Sequence, residues 1–169
     1  MANLNVSSPA GFVTLNITTQ TNAFSISGST ATWSATTASV ITVPALQDIT
    51  VTNSNGTFRW VQMDNTSRFV VATPATNSLN FNIVLDQASF YAGAGSTPGI
   101  FNLSNQKNRV YFQFYWGGVD SSSGAANSRY IVGSGFVTGL APKATPDQPV
   151  WMSPLVIEVD GSYYPNSLS

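Results

Sequence analysis

Seven carboxylates, Asp48, Asp64, Asp86, Asp120, Asp147, Glu158 and Asp160, are the side chains best placed to move a proton near neutral pH, because the chain has no histidine and no cysteine. Hydrolysis of a glycosidic bond needs two carboxyl groups facing each other across ~5 to 9.5 Å. A β-sheet could present Asp86 and Glu158 in that way, but nothing in their spacing requires it. Carboxylates at strand ends and turns are mostly solvated or bonded to nearby backbone. A calcium loop would need several oxygen ligands together, and the stretches around Asp64 and Asp120 supply one carboxylate each. The glycines of "GSGFVTG" lead into a strand rather than a helix, so they fit a turn-and-bulge pattern and not a phosphate cradle. Without thiolates or imidazoles the usual zinc sites are also excluded. The sequence predicts a chain that is not an enzyme and holds no metal or cofactor.

Binding chemistry is similarly narrow. Lys and Arg total six in 169 residues, with a net charge of -1, so there is no basic footprint with which to grip phosphate. Four tryptophans, Trp33, Trp60, Trp116 and Trp151, could stack on sugars, but they lie on separate strands, and Trp116 continues an apolar face. Packing in a core or an interface is the better use for them. The triplets Asn16-Ile17-Thr18 and Asn65-Thr66-Ser67 are what a chain rich in Asn, Ser and Thr yields by chance.

Charged residues make up 8% of the chain, against roughly 25% in ordinary soluble domains. The exterior must therefore be built from Ser, Thr, Asn and Gln, a neutral skin suited to being covered by other protein. The segment "MANLNVSSPAGF" lacks the pattern of an export signal, and no apolar run approaches the ~20 residues that span a bilayer.

The elements that carry these residues are strands. In "SLNFNIVLD", Leu79, Phe81, Ile83 and Leu85 share one face while Asn80, Asn82, Val84 and Asp86 share the other. "NRVYFQFYW" repeats the alternation with Val110, Phe112, Phe114 and Trp116 opposite Tyr111, Gln113 and Tyr115. Shorter strands are predicted at 11–17, 23–27, 39–43, 48–52, 57–63 and 68–72, and a strand pair surrounds "APKATPDQP". A single helix is predicted after Thr97 as cap and Pro98 as first helical residue, with Ile100, Phe101 and Leu103 on its apolar side. No linker or repeat divides the chain. The expectation is one mainly β domain over 1–169, an antiparallel sandwich or barrel with one short α-helix. Residues 1–40, rich in Ser and Thr, are expected as an arm or edge hairpin, and 162–169 as a C-terminal tail.

The order of these features resembles the major tail tube proteins of long-tailed bacteriophages. "GSGFVTGL", "APKATPDQP" and "VWMSPLVIEVDG" resemble the hairpin that closes the family's inner sheet, with "SYYPNSLS" as the tail. "LQDITVTNSNGTFRWVQMDNTSRFVVATPATNSLNFNIVLD" is similar to its strand, long protruding hairpin and return strand, and "TPGIFNLSNQKNRVYFQFYW" to its small helix and following strand. The likeness runs from about Val40 to the C-terminus, with "VDSSSGAANS" as a longer loop before the last hairpin.

The resemblance implies a tail-tube-like fold and a virion protein that polymerises, as stacked and expectedly hexameric rings, into the conduit for DNA ejection. It implies copies of itself, a tape measure protein and a tail terminator as partners, with DNA in passage and no membrane anchor. Localisation would be the virion tail, after assembly in the host cytoplasm. The hairpin from Asn53 to Ser78 would reach the adjacent ring through Phe58, Trp60 and Phe69. The lumen wall would carry Asn80, Asn82, Asp86, Gln113 and Glu158. Two other readings fit the composition: another β-rich virion component such as a capsid decoration protein, and a carbohydrate-binding module.

Overall fold

A computed structural model describes residues 5–6, 13–43, 48–61, 68–115, 119–120, 130–147 and 150–166. Period-two alternation of apolar residues becomes an antiparallel sheet whose central path comprises β2 (Thr14–Thr18), β5 (Ile41–Val43), β6 (Asp48–Val61), β7 (Arg68–Val84), β8 (Arg109–Tyr115), β10 (Tyr130–Leu140) and β11 (Met152–Val159). Their spatial order is β5-β2-β8-β10-β11-β7-β6, and β12 (Tyr164–Pro165) pairs with the start of β10. Two further pairs stand apart, β3 (Phe24–Ser27) with β4 (Thr30–Trp33), and β1 (Asn5–Val6) with β9 (Val119–Asp120). The expected mainly β, antiparallel fold with one short α-helix is the fold that forms.

One face of the sheet meets the core. Leu15, Ile17, Leu79, Ile83, Val110, Phe112, Phe114, Leu155 and Ile157 are buried there, and Phe90, Ile100 and Leu103 pack into the same cluster. Ile100 and Leu103 come from α1 (Ile100–Asn105), and Phe90 from a single π-helical turn, Gln87–Ala92. Burying each such side chain contributes about 1.5–3 kcal/mol. A smaller core lies on the opposite face, where the β3–β4 hairpin buries Ala23, Ala31 and Val132. Phe24 packs against Tyr111 and Tyr164 there, with ring centroids 6.1 and 6.4 Å apart.

Three expectations are corrected. Residues 14–18 are not part of an arm: β2 lies between β5 and β8, with Leu15 and Ile17 fully buried. Strands expected separately at 48–52 and 57–63, and at 68–72 and 78–86, join into β6 and β7, because the turn-prone residues between them pair with each other: Asn53 with Asn77, Ser54 with Thr76, Asn55 with Ala75. The register slips between Asn55 and Thr57. Gly56 faces Thr73 at that bulge, with the Thr73 hydroxyl where a Cβ would stand, and Pro74 falls in the slip, where its missing N–H is tolerated. Finally, Thr97 does not cap the helix. Gly99 occupies the N-cap without a side-chain bond, and Thr97 Oγ1, buried, donates to Ser39 O at 2.7 Å. Pro98 therefore precedes the helix, which is shorter than two full turns.

Candidate functional site

Only the root of the β6–β7 hairpin belongs to the body. β11 pairs with β7 from Val84 back to Asn77 and no further. Beyond that row, Ser54–Val61 and Arg68–Thr76 pair only with each other, a two-stranded ribbon reaching about 25 Å from the sheet at ~3.3 Å per residue. Every side chain from Thr57 to Val61 is exposed, and so are most on the return strand.

Phe58, Trp60 and Phe69, predicted from the sequence as anchors, are brought together. Phe58 stacks on Trp60 with centroids 5.9 Å apart, and Trp60 on Phe69 at 5.5 Å. The pairing explains the ladder: Trp60 is opposite Phe69 and Phe58 opposite Val71. Phe58 nevertheless remains 60% exposed and Val71 50%. The other ribbon face shows Val61 and Val70, 57% and 56% exposed. Sequence reading missed Val61, Val70 and Val71; two valines in a row on a strand without a core would have been the signal. Arg59 and Arg68 are the charged residues on the described ribbon. Its tip, with Asp64 and the Asn65 triplet, lies outside the described residues.

The five polar candidates divide differently. Asn80 and Asn82 line a shallow pocket of about 170 Å³ on the non-core face with Asp48, Thr50, Pro154 and Val156. Register places them: Asp48 is opposite Asn82, and Thr50 opposite Asn80. Glu158, exposed and opposite Ser78, stands on the same face. The strands of this open half, β11 and the roots of β6 and β7, carry Asp48 and Glu158 and no Lys or Arg. Asp48 and Thr50 were missed because a strand's partner is invisible in one sequence. Gln113 shares the face but is several strands away beside the β3–β4 hairpin, accepting from Asn16 Nδ2 at 2.9 Å.

Asp86 stands apart from the other four. Its carboxylate caps the π-helical turn, with Oδ1 accepting from Ala88 N at 2.7 Å and Ser89 N at 2.9 Å, while Ser89 Oγ donates to Oδ2. Partial burial works to raise the Asp86 pKa, but the bonds from Ser89 and Ala88 outweigh it, so the carboxyl is held below its ordinary value. Glu158 is opposite Ser78, eight residues back along the chain from Asp86, so about 25 Å separates the two carboxylates. That distance excludes them as a glycosidase pair.

The other tryptophans do not gather into a sugar platform. Trp33 ends β4 half-buried, Trp151 is exposed just before β11, and Trp116 lies outside the described residues.

No protein-family model matches the sequence, and no curated protein matches it. Among solved structures, a chain of the virion of the native gene transfer agent particle superposes with a TM-score of 0.54 at 9% identity, over 95% of this chain and 100% of that one. A chain of the anti-feeding prophage baseplate gives 0.45 at 9% identity, over 96% and 97%. This chain thus shares, over nearly its whole length, the fold of a gene transfer agent virion chain.

Proposed function

We propose that the chain is a structural virion subunit of the tail-tube kind, which polymerises as stacked, six-membered rings into a conduit for DNA. The observation that carries the reading is the aromatic ladder on a ribbon with no core of its own. Two-stranded ribbons are marginal in water, and exposed Phe58, Trp60 and Val71 gain by being covered. A second copy of the same chain is the cover that closes rings and extends stacks. The fold shared with a gene transfer agent virion chain supports a place in a phage-like particle. The partners that follow are copies of the chain, a tape measure and a tail terminator, in the virion tail after assembly in the host cytoplasm.

In this reading the open half of the non-core sheet face is the bore. Asn80, Asn82 and Glu158, joined by Asp48 and Thr50 and more distantly by Gln113, would offer DNA a neutral to weakly acidic wall that does not hold phosphate. Particles carrying Asp48→Lys with Glu158→Lys should then eject DNA more slowly.

The assembly claim is tested by shortening the ribbon in register. Removing residues 57–72, whose end residues Thr57 and Ala72 face each other, and closing the gap with Asn-Gly should leave a folded body. Negative-stain microscopy should show hollow cylinders or six-fold discs for the intact chain and only small particles for the shortened one. Cylinders of normal length from the shortened chain would refute the ribbon's role.

A further inference from the structure

The row where β7 loses β11 as a neighbour is held from a third direction. After β11 the chain bends at Gly161, whose φ of 98° suits glycine, and continues along β10 as the segment 160–166. Its far end is tied to the middle strand: Asn166 N donates to Tyr130 O at 3.1 Å, and Tyr130 N to Asn166 Oδ1 at 3.2 Å. Its near end is tied to β10 by Asp160 N donating to Ser134 O at 2.7 Å. Between these anchors the Tyr163 hydroxyl sits 3.0 Å from Thr52 O and 2.8 Å from Ser78 O, sharing its proton between two strands that face each other at this row. One row outward, Asn77 Nδ2 donates to Gly161 O at 2.8 Å. Asn77 is 4% exposed, and its Oδ1 has no hydrogen-bond partner among the described residues. Leaving such an atom unpaired is unfavourable, so a buried Asn here serves its one bond to the segment rather than packing.

We infer that 160–166 is a strap that fixes the angle at which the ribbon leaves the body, with Tyr163 and Asn77 as the positioning residues. The physical reason is leverage. A ribbon rooted on one twisted strand pair can swing about its last shared row, and displacement at the ladder grows with distance from that row. Bonds from one rigid segment to both strands of the root remove this freedom before a partner is met, lowering the entropy that docking must overcome. The inference rests on the ribbon reading above for its purpose, but the restraint itself can be measured without assembly.

The chain contains no cysteine, so spin labels at Arg59→Cys on the ribbon and Gln106→Cys after the helix report their separation by pulsed electron resonance, with labelled chain diluted into unlabelled. Tyr163→Phe keeps the ring that packs against Phe112 at 6.4 Å and removes only the hydroxyl. It should broaden the distance distribution, and amide exchange at Asn53 and Asn77 should quicken by about tenfold, the scale of one lost hydrogen bond. A chain ending at Val159 removes the whole strap and should broaden the distribution further. A distribution as narrow as that of the intact chain in both variants overturns the strap, whatever assembly does. Broadening accompanied by undiminished assembly leaves the strap standing and sinks the ribbon reading instead.

Discussion

The two halves of the β6–β7 hairpin share one pair of strands, yet they obey different rules. In the root, Leu79, Phe81 and Ile83 are buried and alternate with half-exposed Asn80 and Asn82. In the outer half, the Phe58–Trp60–Phe69 ladder and the Val61–Val70 face are largely open to water on both sides. Local chain chemistry is similar in both, β-branched and aromatic, so what differs is the presence of a core. A strand pair over a core needs one apolar face; a strand pair with an exposed aromatic face and no core is stable only with help. Stacked rings contribute about 0.5–1.5 kcal/mol per contact, less than covering them would. The root lies over the core; the outer half pairs only with itself.

The two halves should differ most in what an alanine costs the monomer. Phe81→Ala in the root should cost about 3–5 kcal/mol in denaturant unfolding, whereas Trp60→Ala on the ribbon should cost the monomer no more than about 1 kcal/mol and abolish assembly. Equal losses of monomer stability would erase the distinction between the halves. A smaller effect sharpens it at the body end of β7. Asp86→Ala should remove about 1 kcal/mol by uncapping the turn without altering assembly. Because the folded carboxyl titrates below its ordinary value, its contribution is present above that value and is lost as the pH falls through the folded pKa. Acid melts of the intact chain should therefore fall away more steeply below that range than those of Asp86→Ala.

Smaller still is the effect at the boundary. Burial pushes the Tyr163 phenol from 10.0 up to about 12. A raised folded pKa means that the stabilisation is complete below 10.0 and declines as the pH climbs through about 12. Tyr163→Phe should flatten the alkaline limb of the stability curve, read by denaturant melts at stepped pH. The smallest change should come from the surface ion pair of Arg109 with Asp160, 2.6 Å apart and half exposed on both sides. Asp160→Asn should cost at most about 1 kcal/mol, and less in high salt.

The core strands were legible because alternation of large apolar residues has one physical cause. Val110, Phe112 and Phe114, like Leu79, Phe81 and Ile83, are buried where the period-two pattern places them. Phe58, Trp60 and Phe69 were singled out through the resemblance to tube proteins, and the register brings their rings together. Less legible was anything decided by pairing. Asn53 to Asn55 fell between two expected strands until the opposite strand supplied partners for them. Thr97 read as a cap, but the Ser39 carbonyl claimed its hydroxyl. The strand expected at 11–17 forms as β2, but its place inside the sheet, between β5 and β8, was hidden because its apolar content is only Leu15 and Ile17 and the neighbours on either side supply the rest of the core. Asp86 read as one of a polar row, yet a turn invisible to periodicity drew it away from Asn80 and Asn82.

Amide hydrogen exchange across a concentration series reads both halves of the hairpin in one sample. Amides of Thr57–Val61 and Arg68–Val71 should gain protection steeply as concentration rises, while those of Leu79–Ile83 stay protected throughout. Ribbon amides that exchange at the same rate from the most dilute sample to the most concentrated would contradict association through the ribbon.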